Sequence, residues 1–504
     1  MNQHWKFKIN FEFIVFLALI ITITCYRFWI LKIFGFEFTD SDQSIMWLAT
    51  KNYSQGLFYE PRFYGQSYNT MLESLLAVPL FKMGLPLYIA LPTVTTILSL
   101  FPFLMLAIIT YRNTSKITGI VILSIFIVFP AEYDFLTSIS RGFVTGIAIA
   151  SICFVFLAKP NSKNIFLVIG FLCIMAYSIN ANSLLLSIPC LFLLFLHNFR
   201  NKYFYFFSGS GLLVGLIIHL LIAKFYINNP YYILHHNYIK FSFDYFAESI
   251  SHLDKFFNYL VPFFWNHGWI ILLIFISASF LLFKKKKYNE SIVVLSIPFM
   301  VLMTLFISKV NDGTNSIFFS FARMYLAIPV LLAFTISLFN LKERKWIYAF
   351  VPIAIIFFIF KVLAMEQSID KNLNKNHVIS VIETKKLYKE CEEISDISLN
   401  NNIELIIICQ HWHYDFYNYG CPSCMKRFPK TLRPLYERRT WRLIEDEHMI
   451  YSNILIIDLE RNLEMEYGFI SKIEEKNGFY VIKGNNLPTM TLLKKLNIAV
   501  RKYK

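Results

Sequence analysis

Charge is scarce in this chain of 504 residues: only 16% are Asp, Glu, Lys or Arg, against roughly 25% in soluble averages, so water is not the main solvent of the fold. A heptad array, a glycine-rich phosphate loop and a low-complexity tract are all missing, which sets aside coiled coils, P-loop nucleotide chemistry and biased linkers. Few charges lie deep in the apolar stretches and no inverted repeat is evident, so the usual marks of a transporter or lipid flippase are thin.

Hydrophobic residues make up 56% of the chain and come in stretches long enough to cross a hydrocarbon core of about 30 Å. Eleven spans fall near residues 11–33, 86–110, 117–136, 142–158, 165–178, 183–197, 204–226, 263–283, 290–308, 317–340 and 346–364. The two short runs on either side of Ser178-Ile179-Asn180-Ala181-Asn182-Ser183 fit two helices or one broken helix. The expected fold is a polytopic α-helical membrane protein. Its first span is too long, and lacks the small-residue cleavage site, for a removed signal peptide, and is expected to remain as an anchor.

Basic residues recur in alternate connections: Arg112 and Lys116, Lys159 and Lys163, Arg200 and Lys202, the run 284–287, and Lys342, Arg344 and Lys345. With Lys6 and Lys8 these mark the cytoplasmic side. An odd number of spans then places the C-terminal tail outside. The net charge of +15 sits largely in loops that face anionic lipid, so no nucleic-acid partner is expected.

Two domains follow: a membrane domain over 1–364 and a small extracytoplasmic α/β soluble domain over 365–504, with a helix near 378–394 and strands near 403–409, 454–457 and 479–482. The first outward loop, 35–85, is long for a connection in a compact bundle. Its part 68–81 reads as amphipathic and interfacial. A second outward loop, 227–262, carries Tyr231, Tyr232, His235 and His236, which an aromatic belt explains.

Candidate chemistry gathers on the outer face. Thr39-Asp40-Ser41-Asp42-Gln43 lies just past the first span. A partly desolvated aspartate there can take a proton from a hydroxyl or amine, or hold a divalent cation such as Mg or Mn against phosphate oxygens. An aspartate opening a helix is equally a cap, and spacing alone leaves both readings open. Glu132-Tyr133-Asp134 has a spacing that permits metal binding, and Arg141, shortly after it, suits pairing with those acids or contact with a donor phosphate. Arg323, at a helix entrance, offers forked donors for a lipid phosphate, or snorkels to the interface.

Four cysteines, Cys25, Cys153, Cys173 and Cys190, fall in spans as small apolar packers. In the tail, Cys409-Gln410-His411-Trp412-His413 and Cys421-Pro422-Ser423-Cys424 carry the residue types of a structural zinc site. A disulfide, Cys421 with Cys424 or with Cys409, is the rival, and redox chemistry at the Cys-Pro-Ser-Cys turn ranks below both.

Asp42-Gln43, Leu48-Ala49, Phe63-Tyr64-Gly65-Gln66-Ser67-Tyr68, Leu72-Glu73 and the run from Ala77 to Phe81 together resemble the first outer loop of the GT-C class of membrane glycosyltransferases, specifically bacterial relatives of the protein mannosyltransferases. Phe321-Ala322-Arg323-Met324-Tyr325-Leu326-Ala327-Ile328-Pro329 is similar to that family's arginine-tyrosine-leucine segment, with Met324 inserted. The resemblance implies an enzyme of the bacterial cytoplasmic membrane that moves a sugar from a polyprenyl-phosphate carrier to a glycan, lipid or protein acceptor. It implies Asp42 as the base ahead of Asp40, and Arg323, Arg141 and Tyr325 at the donor phosphate. Gln43, Tyr64, Gln66 and Glu73 would shape the pocket. Related oligosaccharyltransferases bind a divalent cation in the loop that corresponds to Glu132 and Asp134. Whole-oligosaccharide transfer or glycan polymerisation by a similar architecture remains open.

Overall fold

The structure, a computed structural model, describes residues 10–159, 162–234, 239–261, 267–375, 380–409, 415–474 and 476–501. Among them, six helices are long and apolar enough to cross a membrane: Phe11–Gly35, Leu87–Asn113, Ala181–Asn198, Lys202–Asn228, Phe321–Phe339 and Lys345–Leu363. Five shorter apolar helices, Lys116–Val128, Phe143–Leu157, Lys163–Ile179, Ile270–Lys284 and Tyr288–Thr304, complete the set. Each falls on one of the expected spans, and the chain is a polytopic membrane protein. The doubtful pair separates into two helices, because Asn180 leaves the helical path and its side chain caps the following turn through the Asn182 N–H.

Charge inside the bundle is paired. The buried Arg27 guanidinium meets Asp134 at 2.9 Å, Lys361 reaches the other carboxylate oxygen at 2.9 Å, and the Tyr26 hydroxyl donates to it at 2.8 Å. One carboxylate thereby ties the first and last membrane helices to the short helix Ala131–Leu136, as a buried charge requires.

The tail is not packed as a separate body. Strand β1 (Phe38–Asp40) of the first loop pairs antiparallel with β2 (Val381–Glu383), Asp40 opposite Val381. The helix expected near 378–394 therefore begins later, at Thr384, and runs to Asn400; the preceding residues go to the sheet. The helix Ser41–Ser54 places Ile45 and Trp47 in one core with Leu387, Phe416 and Tyr419 of the tail. Beyond it lies a five-stranded sheet of β3 (Leu405–Ile408), β4 (Lys430–Leu432), β5 (Ile454–Ile457), β6 (Ser471–Lys472) and β7 (Phe479–Ile482), in the order β4-β3-β5-β7-β6. Its three all-buried strands read as continuous apolar runs, as expected of a sheet covered on both faces.

In the first loop the stretch 68–81 is helical only from Leu72, as Leu72–Lys82. Ahead of it Asn69 forms a bridge with Asn180, which anchors the loop to the polar break between two membrane helices.

Candidate active site

The helix Ser41–Ser54 begins at Asp40, whose carboxylate accepts the N–H groups of Asp42 at 2.9 Å and Gln43 at 3.1 Å. The Gln43 amide donates to its second oxygen at 2.8 Å, and Arg141 lies 2.9 Å from the first. Asp40 is thus a fully buried N-cap. Burial raises its carboxyl, against the pull of Arg141.

Asp42, one position into the helix, uses its carboxylate differently. Its Oδ1 is 2.9 Å from Arg438 Nη1 and its Oδ2 3.9 Å from Arg141 Nη1. Burial alone would raise this carboxyl too, but Arg438 and then Arg141 outweigh it and hold it below its ordinary value. Asp42 Oδ1 and Arg438 Nη1 are in ion-pair contact without a well-aligned N–H between them, and Arg141 Nη2 and Nε likewise lack a well-aligned acceptor. The groups attract at contact distance without well-aligned donors, so another anion that aligns with either guanidinium fork can compete for it.

Arg141 is set by its backbone. Asn69 Nδ2 donates to the Arg141 carbonyl, and Asn69 is itself held by Asn180 at 3.1 Å. Gly142 N–H donates to Glu73 at 2.5 Å, and Ser140 N–H to Gln43 at 3.3 Å. Burial pushes the Glu73 carboxyl up to about 7. Glu73 and Gln43 thus hold the backbone on either side of Arg141.

Arg438 was not found by sequence reasoning, and the tail presents it. Its N–H donates to the Tyr419 hydroxyl at 3.1 Å, while the neighbouring Glu437 and Arg439 form a buried pair at 2.8 Å, supported by Asn418. Gly65, at φ +70°, makes room for this strand of chain: a Cβ there would stand 2.8 Å from the Arg438 carbonyl oxygen. The Tyr64-Gly65-Gln66 segment is thus where the first loop receives the tail. Tyr64 is buried, with its hydroxyl accepting from Asn52 at 3.1 Å, and the Gln66 N–H closes a turn onto Phe63 at 2.6 Å.

Arg323 is buried behind the site with its guanidinium on the carbonyls of Phe319, Ser320 and Asp312, and over the Phe319 ring at 3.9 Å. Its charge reaches Asp42 and Tyr68. The Tyr68 hydroxyl, pushed up to about 12 by burial and by Asp42, lies in the field of Arg323, Arg438 and Arg141 together. Asn182 donates to both the Phe143 and Arg323 carbonyls, at 3.0 and 3.4 Å, so the polar break in the bundle braces two walls of the site.

No family model and no curated protein matches the chain. A solved structure does: the crystal structure of ArnT from Cupriavidus metallidurans bound to undecaprenyl phosphate superimposes with a TM-score of 0.57 at 7% identity, covering 94% of this chain and 99% of that one. The chain shares the ArnT fold. At that level the expected architecture, a helical membrane bundle with a small C-terminal α/β part, is the architecture found.

Within the ArnT-like fold, several expected site residues lie elsewhere. Tyr325 turns away from Asp42, bonding the Thr304 hydroxyl at 2.8 Å and packing edge-on against Phe256 and Phe257. Asp134 is enclosed by Arg27, Lys361 and Tyr26, and Glu132 lines a separate cavity, so the two do not converge as metal ligands. Among the described residues no three His, Cys, Asp or Glu side chains meet at a cation site. Three guanidinium groups around Asp42 repel a divalent cation rather than hold one, so the residues present do not fit Mg or Mn.

In the tail, Cys421 is bonded to Cys391, not to Cys424 or Cys409. That removes Cys421 from a zinc set whose His411 and His413, like His235 and His236, lie outside the described residues. Cys424 is a free thiol, raised to about 12 by burial.

Proposed function

We propose that this chain is a glycosyltransferase that moves a sugar from a polyprenyl-phosphate carrier to an acceptor at the outer face of a bacterial cytoplasmic membrane, with Asp42 as general base. The observation that carries this reading is an ionised carboxylate set among Arg141, Arg323 and Arg438, in a chain with the ArnT fold. The neighbour's undecaprenyl phosphate supports a carrier of that chemical class.

Guanidinium forks suit a phosphate bidentately, and Arg141 and Arg438 have unaligned N–H groups to offer. An arriving donor phosphate competes with Asp42 for both arginines. As they turn to the phosphate, the carboxylate loses the charges that depress it and becomes a stronger base. The acceptor's hydroxyl or amine then attacks the anomeric carbon, its proton passes to Asp42, and the bond from that carbon to the phosphate oxygen breaks, leaving polyprenyl phosphate on the arginines. A single displacement inverts the anomeric centre.

The test is transfer from a labelled polyprenyl-phosphate sugar by Asp42→Asn protein in proteoliposomes. Loss of a positioned base costs roughly 10²–10⁴-fold, and the product anomer of the wild type is inverted. Wild-type turnover by Asp42→Asn, or retained configuration, overturns the reading.

A further inference from the structure

A cavity of about 1260 Å³ opens between the last membrane helix, the end of Lys116–Val128 and the segment around residue 255. None of Asp42, Arg141, Arg323 or Arg438 lines it. The turn Phe321–Tyr325 divides it from the Asp42 centre: Phe321 forms cavity wall, and Arg323, two residues on, serves the other side.

The cavity is two-sided in chemistry. Phe129, Phe357 and Phe360 make its apolar wall, and the same helix, Lys345–Leu363, leaves Ile355, Ile356, Ile359 and Phe360 exposed, as a lipid-facing surface requires. The polar wall carries Lys255, Lys361, Lys371 and Lys375 against the carboxylates of Glu132 and Asp254. Lys361 is held at 2.9 Å by Asp134, which it shares with Arg27, and Lys255 stands 3.5 Å from Glu248. Lys375 is different: its ammonium donates to the Tyr259 hydroxyl at 2.9 Å, the Asn372 amide at 2.9 Å and the Asn315 carbonyl at 3.3 Å, all neutral groups. It is therefore a half-buried cation hydrogen-bonded by neutral partners, just past the helix Met365–Leu373, with exposed Lys371 four residues before it in that helix.

We propose that this cavity binds a phosphate-bearing lipid, its phosphate at Lys371 and Lys375 and its chain along Phe357 and Phe360. Basic pockets beside membrane helices favour anionic head groups, and the four lysines of this wall outnumber its two carboxylates, Glu132 and Asp254, with Glu132 acting on Lys375 through space rather than by a direct ion pair. The site stands apart from sugar transfer, and its occupancy does not depend on Asp42.

Native mass spectrometry of the full-length protein, titrated with phosphatidylglycerol, undecaprenyl phosphate and phosphatidylcholine, tests it. At least one of the two anionic lipids is expected to bind more tightly than phosphatidylcholine, and which one does so identifies a bilayer lipid or a carrier as the source. The Lys371→Gln/Lys375→Gln protein is expected to lose about 30-fold in that affinity, roughly one and a half factors of ten for two lysines near a phosphate. The Lys371→Arg/Lys375→Arg protein keeps the charge and the binding, which separates loss of charge from loss of fold. The part of the binding that the Gln pair removes is retained in Asp42→Asn, so failure of the transfer reading leaves this result intact. Equal binding of phosphatidylcholine, equal affinity in the Gln and Arg pairs, or loss in Arg323→Ala but not in the Gln pair overturns the proposal.

Discussion

At the scale of single residues, the two aspartates of the first loop differ in what their lone pairs already hold. Asp40 accepts from two backbone N–H groups and the Gln43 amide, and faces Arg141, whereas Asp42 meets only the charges of Arg438 and Arg141 at close range. Removing Arg438 therefore has two effects. A phosphate ligand is lost, and kcat/KM is expected to fall about 10–100-fold, the range for a charge-assisted contact. Burial of Asp42 also goes less opposed, so its carboxyl rises. Because Asp42 lies below its ordinary value in the intact site, activity that needs the carboxylate is present above that value and lost as pH falls through it. In Arg438→Ala the loss starts at a higher pH. Arg438→Lys keeps the charge without the fork, so the acid limb stays in place while KM for the donor rises. An acid limb that does not move in Arg438→Ala would separate Asp42 from the rate.

At the scale of elements, the decisive contact is between a turn and a strand of tail. Gly65 at φ +70° and Gly56 at φ +80° bear the same left-handed strain if replaced, but only at Gly65 does an added Cβ meet another chain segment, the Arg438 carbonyl. Both Gly→Ala changes are expected to cost on the order of 1 kcal/mol of backbone strain. Gly65→Ala should in addition displace Arg438 and lower kcat/KM at least tenfold, while Gly56→Ala leaves it near wild type; equal kinetics for the two would remove the tail contact from the site. This contact also marks where sequence reading stops. The eleven spans were legible because hydropathy is a local property of a run of residues, and the helix at Asp40 was legible because a cap needs only the residues that follow it. Tyr64-Gly65-Gln66 was legible as a segment, but not its reason, since a positive φ and the backbone it admits come from a distant part of the chain. Arg438 sits beside Glu437 and Arg439 in a charged run that reads as an ordinary solvated stretch, and only the folded tail shows that one of the three faces Asp42. Asp134 misled in the opposite way: an acid two residues from another has metal spacing, yet its partners came from the first and last membrane helices.

At the scale of the whole molecule, the site is complete only when the tail is docked. The docking rests on the β1–β2 pair, on the core shared by Ser41–Ser54 with Leu387, Phe416 and Tyr419, and on Lys51 donating to the Pro422 and Met425 carbonyls at 2.5 and 2.9 Å. The Cys391–Cys421 disulfide joins the two tail segments that press on that helix. Its pairing could not be read from spacing, because four tail cysteines allow several connectivities. Closing a separation of 30 residues restrains the unfolded tail by about 3–4 kcal/mol in the chain-entropy picture, a large share of what holds a small domain. The membrane helices gain nothing from it. In a Cys391→Ala/Cys421→Ala protein the tail is therefore expected to open at a lower temperature than the bundle, read as proteolysis beyond residue 380 while helical circular dichroism persists. Sugar transfer should vanish with the tail and not with the helices, because Arg438 leaves Asp42 when the tail opens. Transfer that continues at temperatures where the tail is already cleaved would mean that the membrane helices and first loop suffice, and that Arg438 is a structural tie rather than part of the site.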